Sequence, residues 1–312
     1  KNNLICTQYV LGSSFTESSS RETAIHLTES DRQDVENFVQ ALTLEQRMDT
    51  ITKSWAGHIH ASDDIKRCII LQGCTSQMRD NKFIHRSGIH ILLVGDPGTA
   101  KTKFLRLATL LVSGSRYVDA SNLSSAGLAG GCDRVEDMYT GKGRWALIPG
   151  ALGLTPASGI CSVDELNLYK HDFGDFNSAL ETGEVPINKI VKGTIPTPCS
   201  VLAGANPAGK DANRKKFARG IDVSYFDQIG FDYTLGQRFD AILILEDEAN
   251  MENDELIALS MLSGVVEKDE ESESKDTEVS LDFIRKYLAV AREQDIKMTR
   301  AAAAYIAKTH AS

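Results

Sequence analysis

The amino-acid sequence predicts an α/β fold built on a parallel five-stranded sheet flanked by helices. Short apolar runs recur along the chain, helical or glycine-rich segments separate them, and polar motifs follow several of the runs. Strands of a parallel sheet are buried on both faces, so they read as short apolar runs that alternate with helices. The predicted strands are residues 89–94, 116–118, 159–163, 200–205 and 241–245.

Helical spacing of apolar residues occurs on both sides of this strand region. It is found in residues 28–48 and 63–71 before the strands, and in residues 256–262, 281–291 and 299–309 after them. The sequence therefore predicts three parts: an N-terminal remnant and linker (1–44), an α/β core (45–250) and an incomplete helical lid (251–312).

Size and composition limit the class of protein. The 312 residues suffice for a large α/β domain and a smaller helical one, and 42% apolar residues suit a buried core. None of the six cysteines forms a CxxC pair, which argues against a zinc site and a secreted disulfide framework. Because no apolar stretch is long enough to span a bilayer, we expect a soluble, intracellular protein without a membrane partner.

The net charge of −9 is unevenly distributed. Residues 246–278 contain thirteen Asp or Glu and two Lys, a net of −11, so the rest of the chain carries +2. The acidic run 267–278 is most simply a solvated loop, and a partner-binding segment is the alternative. Overall acidity therefore gives no argument for nucleic acid, but it permits a local basic element.

The strongest motif follows the first predicted strand and has the glycines, lysine and hydroxyl of a phosphate-binding P-loop. The N–H groups of such a loop and of the helix after it cradle phosphates, which predicts ATP as ligand. Lys101 would reach the β- and γ-phosphates, and the Thr102 hydroxyl would bind Mg²⁺. The alternative is a glycine-rich turn without a ligand. The expected nucleotide contacts are Gly95, Asp96, Pro97, Gly98, Thr99, Ala100, Lys101 and Thr102.

Two adjacent carboxylates follow the third predicted strand, in the pattern of a Walker B element. Asp164 would hold Mg²⁺ through water, and Glu165 would orient and deprotonate the attacking water. Acidic residues also commonly cap a following helix, which is the alternative for this pair. Their position downstream of the P-loop favours the catalytic interpretation.

Asn206 follows the fourth predicted strand and is placed to contact the γ-phosphate or the lytic water. The alternative is an ordinary turn formed by the Asn-Pro dipeptide. Arg238 precedes the fifth strand, where it would lie away from its own P-loop and stabilise charge on a neighbouring subunit's γ-phosphate. A salt bridge to Asp240 is the alternative for this arginine.

In this order, the motifs resemble those of the minichromosome maintenance (MCM) family of replicative DNA helicases. The resemblance extends upstream into residues 60–72 and downstream through residues 178–193. It implies an AAA+ P-loop NTPase with a helix-2 insert within residues 125–151, a pre-sensor hairpin and a partial C-terminal helical lid. Residues 166–170 depart from the family's usual sequence after the acidic pair.

Further expectations come from the resemblance. Ile59 and His60 would flank the adenine, and Lys189 in the hairpin would grip DNA phosphate without regard to sequence. Without the resemblance, Lys189 is an ordinary exposed lysine on a turn. A second basic cluster at residues 214–219 would contact DNA or a neighbouring subunit, with a solvated loop as the equal alternative.

The implied function is an ATP-dependent DNA helicase motor that unwinds DNA in replication, assembled as a ring and expected to be a hexamer. The implied location is the nucleus in a eukaryote, or the cytoplasm and nucleoid in an archaeon. One alternative is a helix-2-insert remodeller of the magnesium-chelatase or MoxR type, since residues 163–169 also resemble that group. The other is a catalytically silent MCM paralogue.

Overall fold

The computed structural model describes residues 25–59, 61–75, 88–136, 143–207, 228–230, 233–245, 278–294 and 299–310. Predicted features at 214–219 and 256–262 lie outside these residues, as does most of the acidic run. The helices are α1 Glu29–Ala41, α2 Leu44–Ala56, α3 Asp63–Gly73, α4 Lys101–Leu111, α5 Ser125–Leu128, α6 Ala151–Leu154, α7 Gly174–Thr182, α8 Tyr233–Gly236, α9 Leu281–Glu293 and α10 Arg300–His310. The strands are β1 His90–Gly95, β2 Arg116–Asp119, β3 Gly130–Glu136, β4 Gly143–Pro149, β5 Ile160–Asp164, β6 Glu184–Asn188, β7 Lys192–Pro196, β8 Ser200–Ala205 and β9 Ala241–Leu245.

The central sheet confirms the predicted fold class. Its strand order is β2-β5-β8-β1-β9, and every pairing is parallel. All residues of β1, β5 and β8 are buried, as expected for strands covered on both faces. Because the strands are parallel, their carboxyl ends share one edge of the sheet.

Alternate side chains of β1 enter two separate hydrophobic layers. Leu92 and Val94 pack with Phe176 and Leu180 of α7, whereas Ile91 and Leu93 pack on the other face with the helices. The helical layer includes Phe104 and Leu111 of α4, Trp55 of α2, and Ile284 and Leu288 of α9. Because successive side chains of a strand point to opposite faces of the sheet, both faces are apolar and helices pack on each of them.

The helical segment predicted at residues 28–48 was wrong as a single helix, because it is two. Thr28 caps α1 through Asp31, and Thr43 caps α2 through Gln46, each in a reciprocal capping box. Leu42 is extended and separates the two helices. A threonine that can satisfy the first N–H groups of a new helix outweighs the continuous apolar spacing.

Two antiparallel hairpins project from the sheet, where the helix-2 insert and the pre-sensor hairpin were expected. The first pairs β3 with β4, and the second pairs β6 with β7. The hairpins pack together closely, since a Cβ on Gly193 would lie 2.6 Å from Cδ1 of Leu147. In the part of the chain that the structure describes, no helix is both long and apolar enough to cross a bilayer.

Candidate functional site

The loop between β1 and α4 has the backbone geometry of an anion cradle. Gly98 has φ of 91° and Ala100 has φ of 62°, both in the left-handed region. Gly95 closely approaches β9, since a Cβ there would lie 2.5 Å from the Leu245 carbonyl oxygen, whereas space around Gly98 is open within 4 Å. No side chain caps the N terminus of α4, which leaves its first N–H groups available to a ligand.

Lys101, the first residue of α4, is anchored inside this loop. Its Nζ donates to the carbonyl oxygens of Gly95 at 2.8 Å and Asp96 at 2.5 Å, and to Oγ1 of Thr99 at 3.0 Å. Burial lowers the pKa of the Lys101 ammonium to about 8, against the opposing effect of Asp164 and Asp96. The charged group is thus held at the loop by acceptors that phosphate oxygens can replace.

Asp164 gathers the hydroxyl groups of the neighbouring elements. Its Oδ2 accepts from Oγ1 of Thr102 at 2.7 Å and from the Tyr117 hydroxyl at 2.8 Å, and its Oδ1 accepts from the Glu165 N–H at 2.9 Å. Burial, followed by the contact with Asp164, raises the pKa of Tyr117 to about 12. At neutral pH the phenol therefore stays protonated and acts as a donor to the carboxylate.

This arrangement fits Mg²⁺ bound together with a nucleotide. Mg²⁺ prefers hard oxygen ligands, and nucleotide sites commonly supply one or two carboxylates while phosphates and water complete the shell. Thr102 and Asp164 offer a hydroxyl and a carboxylate in direct contact. Among the described residues no group of three or more His, Cys, Asp or Glu could hold a metal alone, so phosphate oxygens are needed here.

Glu165 and Asn206 complete the carboxyl edge of the sheet. Glu165 is half-buried and has φ of 51°, a strained conformation for a side chain of this type. The Asn206 N–H donates to Oδ1 of Asn167 at 2.9 Å, while its own Oδ1 is buried and finds no hydrogen-bond partner among the described residues. Such an orphaned acceptor calls for a ligand or water.

Arg238 lies at the opposite end of the strands. The Asp240 N–H donates to the carbonyl oxygen of His90, the first residue of β1, whereas the P-loop follows the last residue of that strand. Five strand steps separate the two levels by roughly 17 Å. The Arg238 guanidinium forms an ion pair with Glu181 at 2.9 Å, and the Asp240 carboxylate accepts from the His90 N–H at 2.8 Å. One ion-pair partner of this arginine is therefore on α7.

Comparison with known proteins agrees with this geometry. The family description "MCM P-loop domain" matches residues 34–264. The chain belongs to the MCM family. This assignment separates it from the remodellers of the chelatase type.

The chain matches part of the length of two curated relatives of the MCM family. It is 28% identical over 284 residues to "DNA replication licensing factor mcm5-A" of Xenopus laevis, covering 89% of this chain and 36% of that protein. It is 29% identical over 277 residues to "DNA replication licensing factor MCM2" of Oryza sativa subsp. indica, covering 87% and 27%. The chain thus spans roughly a third of the length of these relatives.

The MCM-type hairpin β6–β7 presents its turn to solvent. Lys189 and Lys192 are exposed, and between them the side chain of Ile190 is 67% exposed. Ile59 is only 3% exposed and packs in the helical layer, so little of it can face a base, and His60 lies outside the described residues. The hairpin turn is therefore the predicted contact most accessible to a large partner.

Three residues that contact the site were missed by the sequence interpretation: Tyr117, Asn167 and Glu181. Each contacts a motif residue that is distant in sequence, namely Asp164, Asn206 and Arg238. Asn167 and Glu181 lie in the family-like segments 163–169 and 178–193, but neither resemblance gives them a role, and Tyr117 lies in no motif. The available signal was weak: Asn167 falls in the segment that departs from the usual MCM sequence.

Proposed function

We propose that this chain is the ATP-hydrolysing motor part of an MCM-type DNA helicase acting in DNA replication. The observation that supports this most is the convergence of Lys101, Thr102, Asp164 and Asn206 at one edge of the sheet, with Arg238 at the other. A P-loop at one edge of the sheet and an arginine at the opposite edge, roughly 17 Å away along the strands, suit a site shared between subunits.

The roles follow from the chemistry of each group. Backbone N–H groups of the P-loop and the Lys101 ammonium would bind the triphosphate of ATP, and Asn206 would contact the γ-phosphate or the lytic water. Bound Mg²⁺ would neutralise charge on the phosphate oxygens. Glu165 would accept the proton of the attacking water, and Arg238 of the next subunit would stabilise the charge that develops.

The assembly follows from the shared site. Subunits would close into a ring, expected to be a hexamer, with the β6–β7 turns lining the channel. Lys189 would contact DNA phosphates, a contact that is independent of sequence and weakened by salt. The names of the relatives, replication licensing factors, favour the nucleus as its location.

Single-turnover ATP hydrolysis by the assembled full-length protein tests the motor function. Glu165→Gln is expected to keep ATP binding but to lower hydrolysis by about 100-fold or more, because the general base is lost. Equal rates in the two proteins would instead indicate a catalytically silent MCM member and would contradict the proposal.

DNA stimulation of the same activity tests the helicase class. Lys189→Ala is expected to abolish stimulation by DNA and to leave the basal rate unchanged, since the turn is remote from the P-loop. Lys53→Ala, which removes an exposed lysine on α2, serves as the charge-matched control. Stimulation that survives in Lys189→Ala would contradict the assigned DNA contact.

A further inference from the structure

A phenol takes part in the hydroxyl–carboxylate cluster of the candidate Mg²⁺ site. We propose that Tyr117 is a positioning residue for Asp164, holding the carboxylate in the orientation that binds Mg²⁺ with ATP. The inference rests on the proposed nucleotide site. It adds a residue that belongs to neither the P-loop nor the acidic pair.

The sheet register brings the phenol to the carboxylate. In the parallel pairing of β2 with β5, Tyr117 is the partner of Ser162, and Asp119 is the partner of Asp164. Tyr117 therefore reaches forward along the strands, and its hydroxyl lies 2.8 Å from Oδ2 of Asp164.

Helix α4 fixes both hydroxyl donors. Thr102 lies in its first turn and donates to Oδ2 of Asp164 at 2.7 Å, while Arg106 lies one turn later. The Arg106 guanidinium carbon lies 4.6 Å from the centroid of the Tyr117 ring, a cation–π contact. The helix that begins the phosphate loop therefore also orients the phenol.

The hydrogen bonds that Asp164 accepts leave its carboxylate one acceptor position that could enter the coordination shell of Mg²⁺. A carboxylate accepts at about four positions, and three are used here by Thr102, Tyr117 and the Glu165 N–H. Asp164 is only 6% exposed, so its rotamer is determined by these donors and not by bulk water. Loss of the phenol would free the carboxylate to rotate away from the Mg²⁺ position.

Tyr117→Phe tests the proposal, because it removes one oxygen and keeps the ring over Arg106. The measurement is binding of a fluorescent, non-hydrolysable ATP analogue to the full chain, titrated with Mg²⁺ and repeated in EDTA. We expect the Mg²⁺ concentration at half-maximal enhancement to rise roughly tenfold, as for other groups that orient metal ligands. Binding in EDTA should not change.

Control variants separate positioning from general damage. Tyr305→Phe, at a side chain that is 73% exposed on α10, should behave as wild type. Arg106→Ala should shift the Mg²⁺ midpoint in the same direction but less. A Tyr117→Phe protein with a lower melting temperature and an unchanged Mg²⁺ midpoint would overturn the proposal. If the proposed nucleotide site were itself wrong, the result would be different: binding of the ATP analogue would be unaffected by Lys101→Ala.

Discussion

Ala100 and Glu165 have left-handed backbone conformations that side chains rarely adopt, with φ of 62° and 51°. They are the two non-glycine residues with positive φ among those the structure describes, and both lie at the carboxyl edge of the sheet. Left-handed geometry costs a residue with a Cβ about 1–2 kcal/mol. Strain of this kind persists where the surrounding structure enforces it, commonly at functional sites.

Ala100→Gly is expected to raise the free energy of unfolding by about 0.5–1 kcal/mol. Glycine removes the left-handed strain, and the greater entropy of the unfolded chain offsets part of that gain. Ala108 is fully buried inside α4, the helix that Ala100 precedes. Ala108→Gly should instead lower the free energy of unfolding by about 1 kcal/mol or more. Urea denaturation measures both, and equal signs for the two variants would contradict strain at Ala100.

The P-loop and the acidic pair could be located in the sequence, because each motif is a contiguous segment with a fixed spacing, and their catalytic roles stay a prediction. The sequence did not predict Tyr117 or Asn167, whose contacts depend on how β2 and the turn after β5 meet other elements. A tyrosine in a short apolar run is equally compatible with a core position. The register of the parallel strands, which no local spacing encodes, brings its hydroxyl to Asp164.

The helix α9 near the C terminus packs against α1 near the N terminus. The Phe38 ring lies 5.1 Å from Phe283 and 5.9 Å from Tyr287, both in edge-on geometry. Around these rings Lys286 binds Asp31 at 3.0 Å, and Arg32 binds Glu293 at 2.5 Å. Ion pairs that stay partly open to solvent contribute little, so the aromatic contacts carry most of this interaction.

Phe38→Ala should therefore lower the free energy of unfolding by about 2–3 kcal/mol, since it removes two aromatic contacts and leaves space between α1 and α9. Val39→Ala, one residue further and 38% exposed, should change it by less than about 0.5 kcal/mol. Chemical denaturation of the two variants gives the comparison. A Phe38→Ala protein as stable as Val39→Ala would mean that α9 does not depend on this contact.

Strands were easier to predict than helix boundaries. The five apolar runs agree with β1, β2, β5, β8 and β9 within one residue at either end, because burial on both faces leaves a clear pattern. The break at Leu42 could not be seen in the apolar spacing, which continues through it. Division of the chain at residues 44 and 250 remains a prediction.

The two ends of the central sheet carry different halves of the proposed catalytic group. The P-loop follows the last residue of β1, and Arg238 lies near the level of its first. A single copy therefore cannot bring its own arginine to its own phosphates without breaking the sheet. In the proposed mechanism, the arginine therefore comes from a neighbouring subunit.

Mixing two inactive variants tests this arrangement. Lys101→Ala and Arg238→Ala proteins should each hydrolyse ATP very slowly, and an equal mixture should regain about a quarter of wild-type activity in a ring of identical subunits. The recovery arises where an intact P-loop meets an intact arginine from the other variant. Lys101→Ala mixed with Glu165→Gln should show no recovery, because both changes affect the same half. Absence of recovery in the first mixture would place Arg238 outside the neighbouring site.

The ion pair between Arg238 and Glu181 connects the proposed contact with a neighbouring subunit to the β6–β7 hairpin. Glu181 lies in the last turn of α7, and only Gly183, with φ of 70°, separates that helix from β6. If Arg238 is drawn to a neighbour's phosphates, Glu181 loses its cation and the base of the β6–β7 hairpin loses a tether. ATP bound by the neighbouring subunit would then affect the Lys189 turn before any change occurs in the subunit's own nucleotide site. The conformational effect would therefore pass around the ring in one direction.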